Sequence, residues 1–120
     1  MSNPHAPGVV VDRTSAIHYT WGNVCEGWRL LAGADLAVIE ERVPAGAGEV
    51  RHVHRRARQF FYVLEGQARM EFDGRAVQLH VGQGVEVSPG VPHRFANDGA
   101  VDVRFLVISS PSTAGDREDL

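Results

Sequence analysis

Turn-forming residues interrupt this chain so often that its apolar runs have room only for short strands. Gly and Pro number 13 and 6 in 120 residues. Leu36 to Val43 mixes β-branched residues with charge and ends at Pro44. Gln59 to Leu64 is aromatic and β-rich and stops at Glu65-Gly66. Ala68 to Phe72 and Arg75 to Leu79 flank Asp73-Gly74, the dipeptide favoured where both turn positions need φ > 0, so a type I′ hairpin is expected. Val85 to Val87 precedes Ser88-Pro89-Gly90, which suits a type II turn. His93 to Ala96 follows, then the turn Asn97-Asp98-Gly99 and a long strand from Val101 to Ile108. No long amphipathic helix fits, and only a weak helical turn at Gly22 to Gly27 is plausible. Short strands at regular spacing indicate an all-β sandwich or closed barrel, and closure would remove exposed edges. One domain is expected over 1–120, with a barrel core at about 15–109 and loose arms at roughly 1–12 and 110–120.

Three of the six histidines stand in a pattern. His52 and His54 are separated by one residue, and alternate residues of a strand share a face. Both imidazoles then point the same way, although such pairs are also common on surfaces. Gln59 lies at an odd offset from His54, which on a continuous strand would face it away. The polar run Arg55 to Arg58 reads instead as a loop, which returns Gln59 to the same interior on the next strand. His93 follows a Pro-Gly turn on a later strand. His5, His18 and His80 lack such a context and read as ordinary surface residues.

The segment GAGEVRHVHRRARQFFYVLEG, Gly46 to Gly66, resembles the first motif of the cupin family. Gly46, His52, His54 and Gly66 are in register, and Gln59 stands where that family usually has Glu. The segment GQGVEVSPGVPHRFAN, Gly82 to Asn97, resembles the second motif, with Gly82, Gly90, His93 and Asn97 in register and Ser88 in place of the usual Pro. The resemblance implies a double-stranded β-helix (jelly-roll) barrel. It also implies that His52, His54, Gln59 and His93 line its interior as ligands of one divalent transition metal. Three imidazoles and an amide oxygen suit Zn, Ni, Fe, Cu, Co or Mn at about 2.0–2.2 Å. Gln in place of Glu leaves the ion its full charge and removes the obvious proton acceptor. Gln59 need not ligate, and a three-His site is the other arrangement. The family hosts many activities, so fold alone does not name one.

Other residues admit two readings. Arg56 or Arg58 at the barrel mouth can clamp a carboxylate or phosphate, or belong to a solvated loop with surface ion pairs. Strand parity aims Arg51 and Arg55 away from the ligands. Phe61, Phe95 and Phe105 are candidate walls of the pocket. Phe60, Tyr62 and Leu64 face outward, which suggests a homodimer. Trp21 and Trp28 are candidates to cover one barrel end or to form part of a dimer contact.

Composition excludes several functions. A formal net charge of −3 gives no field for nucleic acid or an anionic membrane. No stretch approaches the ~20 apolar residues of a membrane span. The chain has no lysine, so no Schiff-base mechanism operates. The single Cys25 forms no internal disulfide, and the first residues lack a signal pattern, so a cytoplasmic protein is expected. The expected partner is a small molecule. The competing functions are a metal-dependent oxygenase or isomerase, a non-catalytic ligand-binding or sensor module, and a purely structural barrel.

Overall fold

The computed structural model describes residues 7–120; His5 and the first half of the expected N-terminal arm lie outside the described residues. Among the described residues all regular structure is strand: β1 (Ile17–Trp21), β2 (Cys25–Ala32), β3 (Ala37–Val43), β4 (His52–Val53), β5 (Arg58–Glu65), β6 (Ala68–Phe72), β7 (Arg75–Leu79), β8 (Gly84–Val87), β9 (Arg94–Ala96), β10 (Val103–Ser110) and β11 (Glu118–Asp119). A six-stranded antiparallel sheet runs β1-β2-β3-β10-β5-β8, a second of three strands runs β7-β6-β9, and β4 pairs with β11. Antiparallel bridges Gly48↔Ala96 and His52↔His93 tie β3–β4 to β9. This is the all-β double-stranded β-helix that the motif resemblance implies, within the sandwich-or-barrel class that the turn pattern indicates.

Alternation builds the core. Along β5, Gln59, Phe61 and Val63 are buried while Phe60 and Tyr62 are exposed. Along β10, Val103, Phe105, Val107 and Ser109 turn inward. Phe95 and Phe105 stack with centroids 3.9 Å apart, and Phe61 lies over both at 5.7 and 6.2 Å. With Met70, Val43 and Val63 these rings fill one end of the interior. Burial of each Phe contributes roughly 1.5–3 kcal/mol. Above Phe61 the filling changes from hydrocarbon to imidazole, because His93 meets its edge at 6.0 Å and 69°.

Local expectations are corrected in three places. The hairpin at Asp73-Gly74 forms with Phe72 opposite Arg75, but only Gly74 has positive φ, so the turn is not type I′. No helical turn forms at 22–27: Gly22 (φ 58) and Asn23 (φ 71) reverse the chain, and β2 begins at Cys25. The C-terminal segment, expected to be a loose arm, is docked. β11 pairs with β4, and Asp116 is buried with its carboxylate accepting the backbone N–H groups of Arg55, Arg56 and Ala57 at 2.8, 3.0 and 2.9 Å.

Candidate metal centre

His52 and His93 sit opposite each other on two antiparallel segments. Each backbone N–H donates to the other's carbonyl, at 3.1 and 2.9 Å, and the ring centroids are 4.4 Å apart. His54, on the same face as His52, adds a third ring 4.8 Å from His52 and 5.7 Å from His93. All three residues are buried, and one ring nitrogen from each falls within 4.8 Å of the others. Strand parity and cross-strand register thus suffice to converge three imidazoles from two distant parts of the chain.

Each ring is oriented from behind. The Nδ1 atoms of His52 and His93 lie 2.8 and 2.9 Å from the carbonyls of Val50 and Val91, and His54 Nδ1 meets the carbonyl of Asp116. With Nδ1–H donating to a carbonyl, the Nε2 lone pair is left facing the cluster. Burial holds all three imidazoles below the ordinary histidine range, His52 at about 4. The rings are therefore neutral at pH 7, which is the ligating form.

Gln59 is buried on β5, opposite Ser109 of β10, and its Nε2 donates to Ser109 Oγ at 3.2 Å. Its Oε1 has no hydrogen-bond partner, nor does His93 Nε2. Two orphaned buried acceptors are costly unless something electrophilic meets them. The three imidazoles fit a divalent transition ion as nitrogen ligands, and Gln59 Oε1 is an unpartnered oxygen on the wall of the same cavity.

The cluster opens into a cavity of about 400 Å³ lined by His52, His54, Gln59 and Phe61, by Trp21, and by residues that sequence reasoning missed: Tyr19, Glu41, Glu49, Ser109, Thr113, Arg117 and Asp119. Tyr19 Oη donates to Glu41 Oε2 at 3.1 Å. Glu49 Oε1 accepts the N–H of Phe95 at 3.0 Å, while Oε2 lies 3.8 Å from His52 Nε2. Burial pushes the Glu41 carboxyl up to about 7, against the Tyr19 hydrogen bond. Burial and then the Glu41 charge push Glu49 up to about 8.

Phe95 and Phe105 have the expected inward facing but lie beneath Phe61 and do not wall the cavity. Arg56 and Arg58 do not reach it either. Both are exposed; Arg58 pairs with Glu86 at 2.7 Å on the outer surface, and Arg56 offers only its backbone N–H to Asp116. The cavity's arginine is Arg117, whose Nε donates to Asp119 Oδ1 at 2.7 Å.

A double-stranded β-helix with inward histidines beside an open cavity defines a small barrel built around a metal-type site. The chain belongs to the cupin family: the cupin-domain family profile matches residues 39–109. Among curated proteins it is similar to MJ1618 of Methanocaldococcus jannaschii, 29% identical over 79 residues, 66% of this chain and 63% of that protein. It is also similar to the polyketide synthase CurC of Streptomyces cyaneus, 33% identical over 60 residues, 50% of this chain and 39% of that protein. The chain thus spans less than two thirds of either relative. Three solved structures share the fold. One is a double-stranded β-helix protein from Klebsiella pneumoniae (TM-score 0.77, 20% identity, 92% of this chain and 95% of that one). Another is the polyketide cyclase RemF from Streptomyces resistomycificus (0.76, 21%, 87% and 80%). The third is a sugar phosphate isomerase from Silicibacter pomeroyi (0.75, 20%, 87% and 76%). Among the described residues no helix is long and apolar enough to cross a membrane.

Proposed function

We propose that this cupin is a metal-dependent enzyme that rearranges a small carbonyl compound by proton transfer, with one divalent transition ion held by His52, His54, His93 and Gln59. The observation that carries the reading is the convergence of three oriented, neutral imidazoles, two of which line a cavity, with Gln59 Oε1 and His93 Nε2 unpartnered. When bound, the ion supplies a Lewis acid for a carbonyl oxygen. The chain's residues do the rest. Phe61 and the stack beneath it exclude water from one side. Gln59 is neutral and accepts no proton, but Glu49 in its ionised form, with Oε2 free of the Phe95 hydrogen bond and 3.8 Å from His52 Nε2, takes a proton from the carbon next to the carbonyl and returns it at the rearranged carbon. Two structural neighbours, a polyketide cyclase and a sugar phosphate isomerase, support an enzyme acting on a small organic molecule.

The test has two parts. Elemental analysis of untagged protein should find about one transition ion per chain. Metal-loaded protein should then catalyse deuterium exchange at the methyl group of acetophenone in heavy water, with Glu49→Gln slower by about a hundredfold. Oxygen uptake without exchange would move the reading to an oxygenase. Saturable binding with neither would make the protein a ligand-binding module. Exposed Phe60 and Tyr62 on the outer sheet face support a homodimer, which light scattering after size exclusion checks.

A further inference from the structure

The C-terminal segment brings a fixed positive charge to the histidine cluster. Glu118 stands opposite Val53 and Asp119 opposite His52 where β11 pairs with β4. Residues opposed in an antiparallel pair share a face, and so do residues two apart on one strand. Asp119 therefore shares the face of His52 and His54, and Arg117, two residues earlier, shares it too. All four line the cavity. Among the described residues Arg117 is the cavity's one arginine. Arg42, Arg58 and Arg104 make their ion pairs outside it, and Arg29 lies over the Tyr19 ring, also outside. The Arg117 charge reaches the whole site. Burial is the main cause that holds His52, His54 and His93 low, and Arg117 adds to it; at Glu41 and Glu49 the same charge opposes the upward push of burial.

Asp119 does not saturate this guanidinium. Arg117 Nε donates to Asp119 Oδ1 at 2.7 Å, and among the described residues the Arg117 side chain has no other hydrogen-bond partner. A guanidinium carries five N–H donors in a planar fork, so its terminal nitrogens can still meet two oxygens of one anion. The Asp119 side chain is 60% exposed, and an ion pair so open to water holds its partners weakly. The histidine end favours the same sign of ligand. His52, His54, His93 and Gln59 are neutral groups, so a divalent ion among them keeps its full charge. An ammonium group would be repelled by the guanidinium and by the ion alike, whereas an oxyanion is attracted by both. We propose that Arg117 binds the oxyanion group, a carboxylate or a phosphate, of the carbonyl compound that this cavity takes. Asp119 holds the guanidinium by its Nε edge, beside β4. The inference rests on the metal-site reading only for the direction of the carbonyl, which points to the histidine end. The Arg117 contact itself stands on the pairing of β11 with β4.

Calorimetry on the full chain, zinc-loaded and metal-free, tests it with probes paired by charge: pyruvate against pyruvamide, and dihydroxyacetone phosphate against dihydroxyacetone. The anionic member of at least one pair should bind about tenfold tighter or more, the strength of one good hydrogen-bonded contact between charged groups. The pair that shows it tells a carboxylate from a phosphate. Arg117→Gln should remove that preference and leave the affinity of the uncharged probe unchanged. Asp119→Asn controls for the docking of the segment: it weakens the same pair from the other side but spares the guanidinium, so the preference should persist or grow. A preference that survives Arg117→Gln does not belong to Arg117 and overturns the proposal. So does equal or absent binding within both pairs, or an equal loss of preference in the two variants. A chain that takes up no zinc ends the metal reading, whereas the Arg117-dependent preference of the metal-free chain still decides the oxyanion contact.

Discussion

The carbonyl oxygen of Asp116 accepts the Nδ1–H of His54 across 62 residues of sequence, while the carboxylate of the same Asp116 gathers three backbone N–H groups of the loop that follows His54. One residue therefore orients a candidate ligand and fixes the loop that returns the chain to Gln59. Burial works against the Asp116 charge, but the three N–H donors hold its carboxyl below the usual aspartate range.

Asp116→Ala should act on both stability and metal affinity. It strands the buried Ala57 N–H and two neighbours, a loss of about 2–3 kcal/mol in urea unfolding. Because the strap also carries the His54 acceptor, zinc affinity should fall about 10–100-fold in a competition titration. Asp116→Asn keeps one acceptor oxygen and should fall between the two. An unchanged zinc affinity in Asp116→Ala would show that His54 is oriented without the strap.

The four candidate ligands should not be equivalent. His52→Ala, His54→Ala and His93→Ala each remove a nitrogen from the cluster and should lower metal content sharply by elemental analysis. Gln59→Ala should weaken binding less, because an amide oxygen is the poorest donor of the set. Gln59→Glu should retain the metal and tighten it, since a carboxylate is the stronger ligand. Equal affinity of Gln59→Ala and the parent chain would place Gln59 outside the coordination sphere.

Stability of the metal-free chain should depend on pH with opposing signs. His52 is held near 4, against 6.5 in the open chain, so between these values the unfolded state binds the extra proton and stability rises with pH. Glu41 is pushed to about 7 and Glu49 to about 8, against 4.5, so the folded state keeps protons that the unfolded state has lost. Their contribution falls as pH rises from about 4.5 through 7 and 8. Above pH 6.5 only the falling contribution remains, and the melting temperature should decline toward pH 8. Glu41→Gln cannot ionise and should gain on the parent chain as pH rises across this window. Parallel melting curves for the two would remove the Glu41 share of the effect.

The fold was legible because it is written in local signals. Gly74 and Gly90 take the positive φ that their turns need, and alternation on β5 and β10 separates Phe61 from Tyr62. His52 and His54 share a face by parity alone. What was not legible lies in long-range pairings. Glu118 and Asp119 form a strand only because β4 offers an edge, and nothing in the segment Gly115 to Leu120 has strand periodicity. Arg56 and Arg58 were misleading because sequence proximity to His54 does not set side-chain direction, and Arg117, far away in sequence, occupies the cavity instead. Glu41 and Tyr19 carry no motif. Their juxtaposition depends on β1, β2 and β3 being adjacent and on the register that puts Gly27 between them.

That register yields the sharpest structural expectation. Gly27 pairs with Tyr19 on one side and Glu41 on the other, at ordinary strand φ, so alanine there meets no backbone strain. The obstacle is the Tyr19 ring, whose nearest atom would lie 2.2 Å from the new methyl group. The ring must swing off β2, and the Tyr19–Glu41 hydrogen bond goes with it. Overpacking of this kind costs about 1–3 kcal/mol, which for a chain of this size is several degrees of melting temperature. The double variant Gly27→Ala with Tyr19→Ala should recover most of that loss, because the second change vacates the space the first one fills. Tyr19→Ala alone should destabilise less than Gly27→Ala alone. If the two losses simply add, the ring is not what Gly27 accommodates, and the delivery of Tyr19 to Glu41 rests on something other than this glycine.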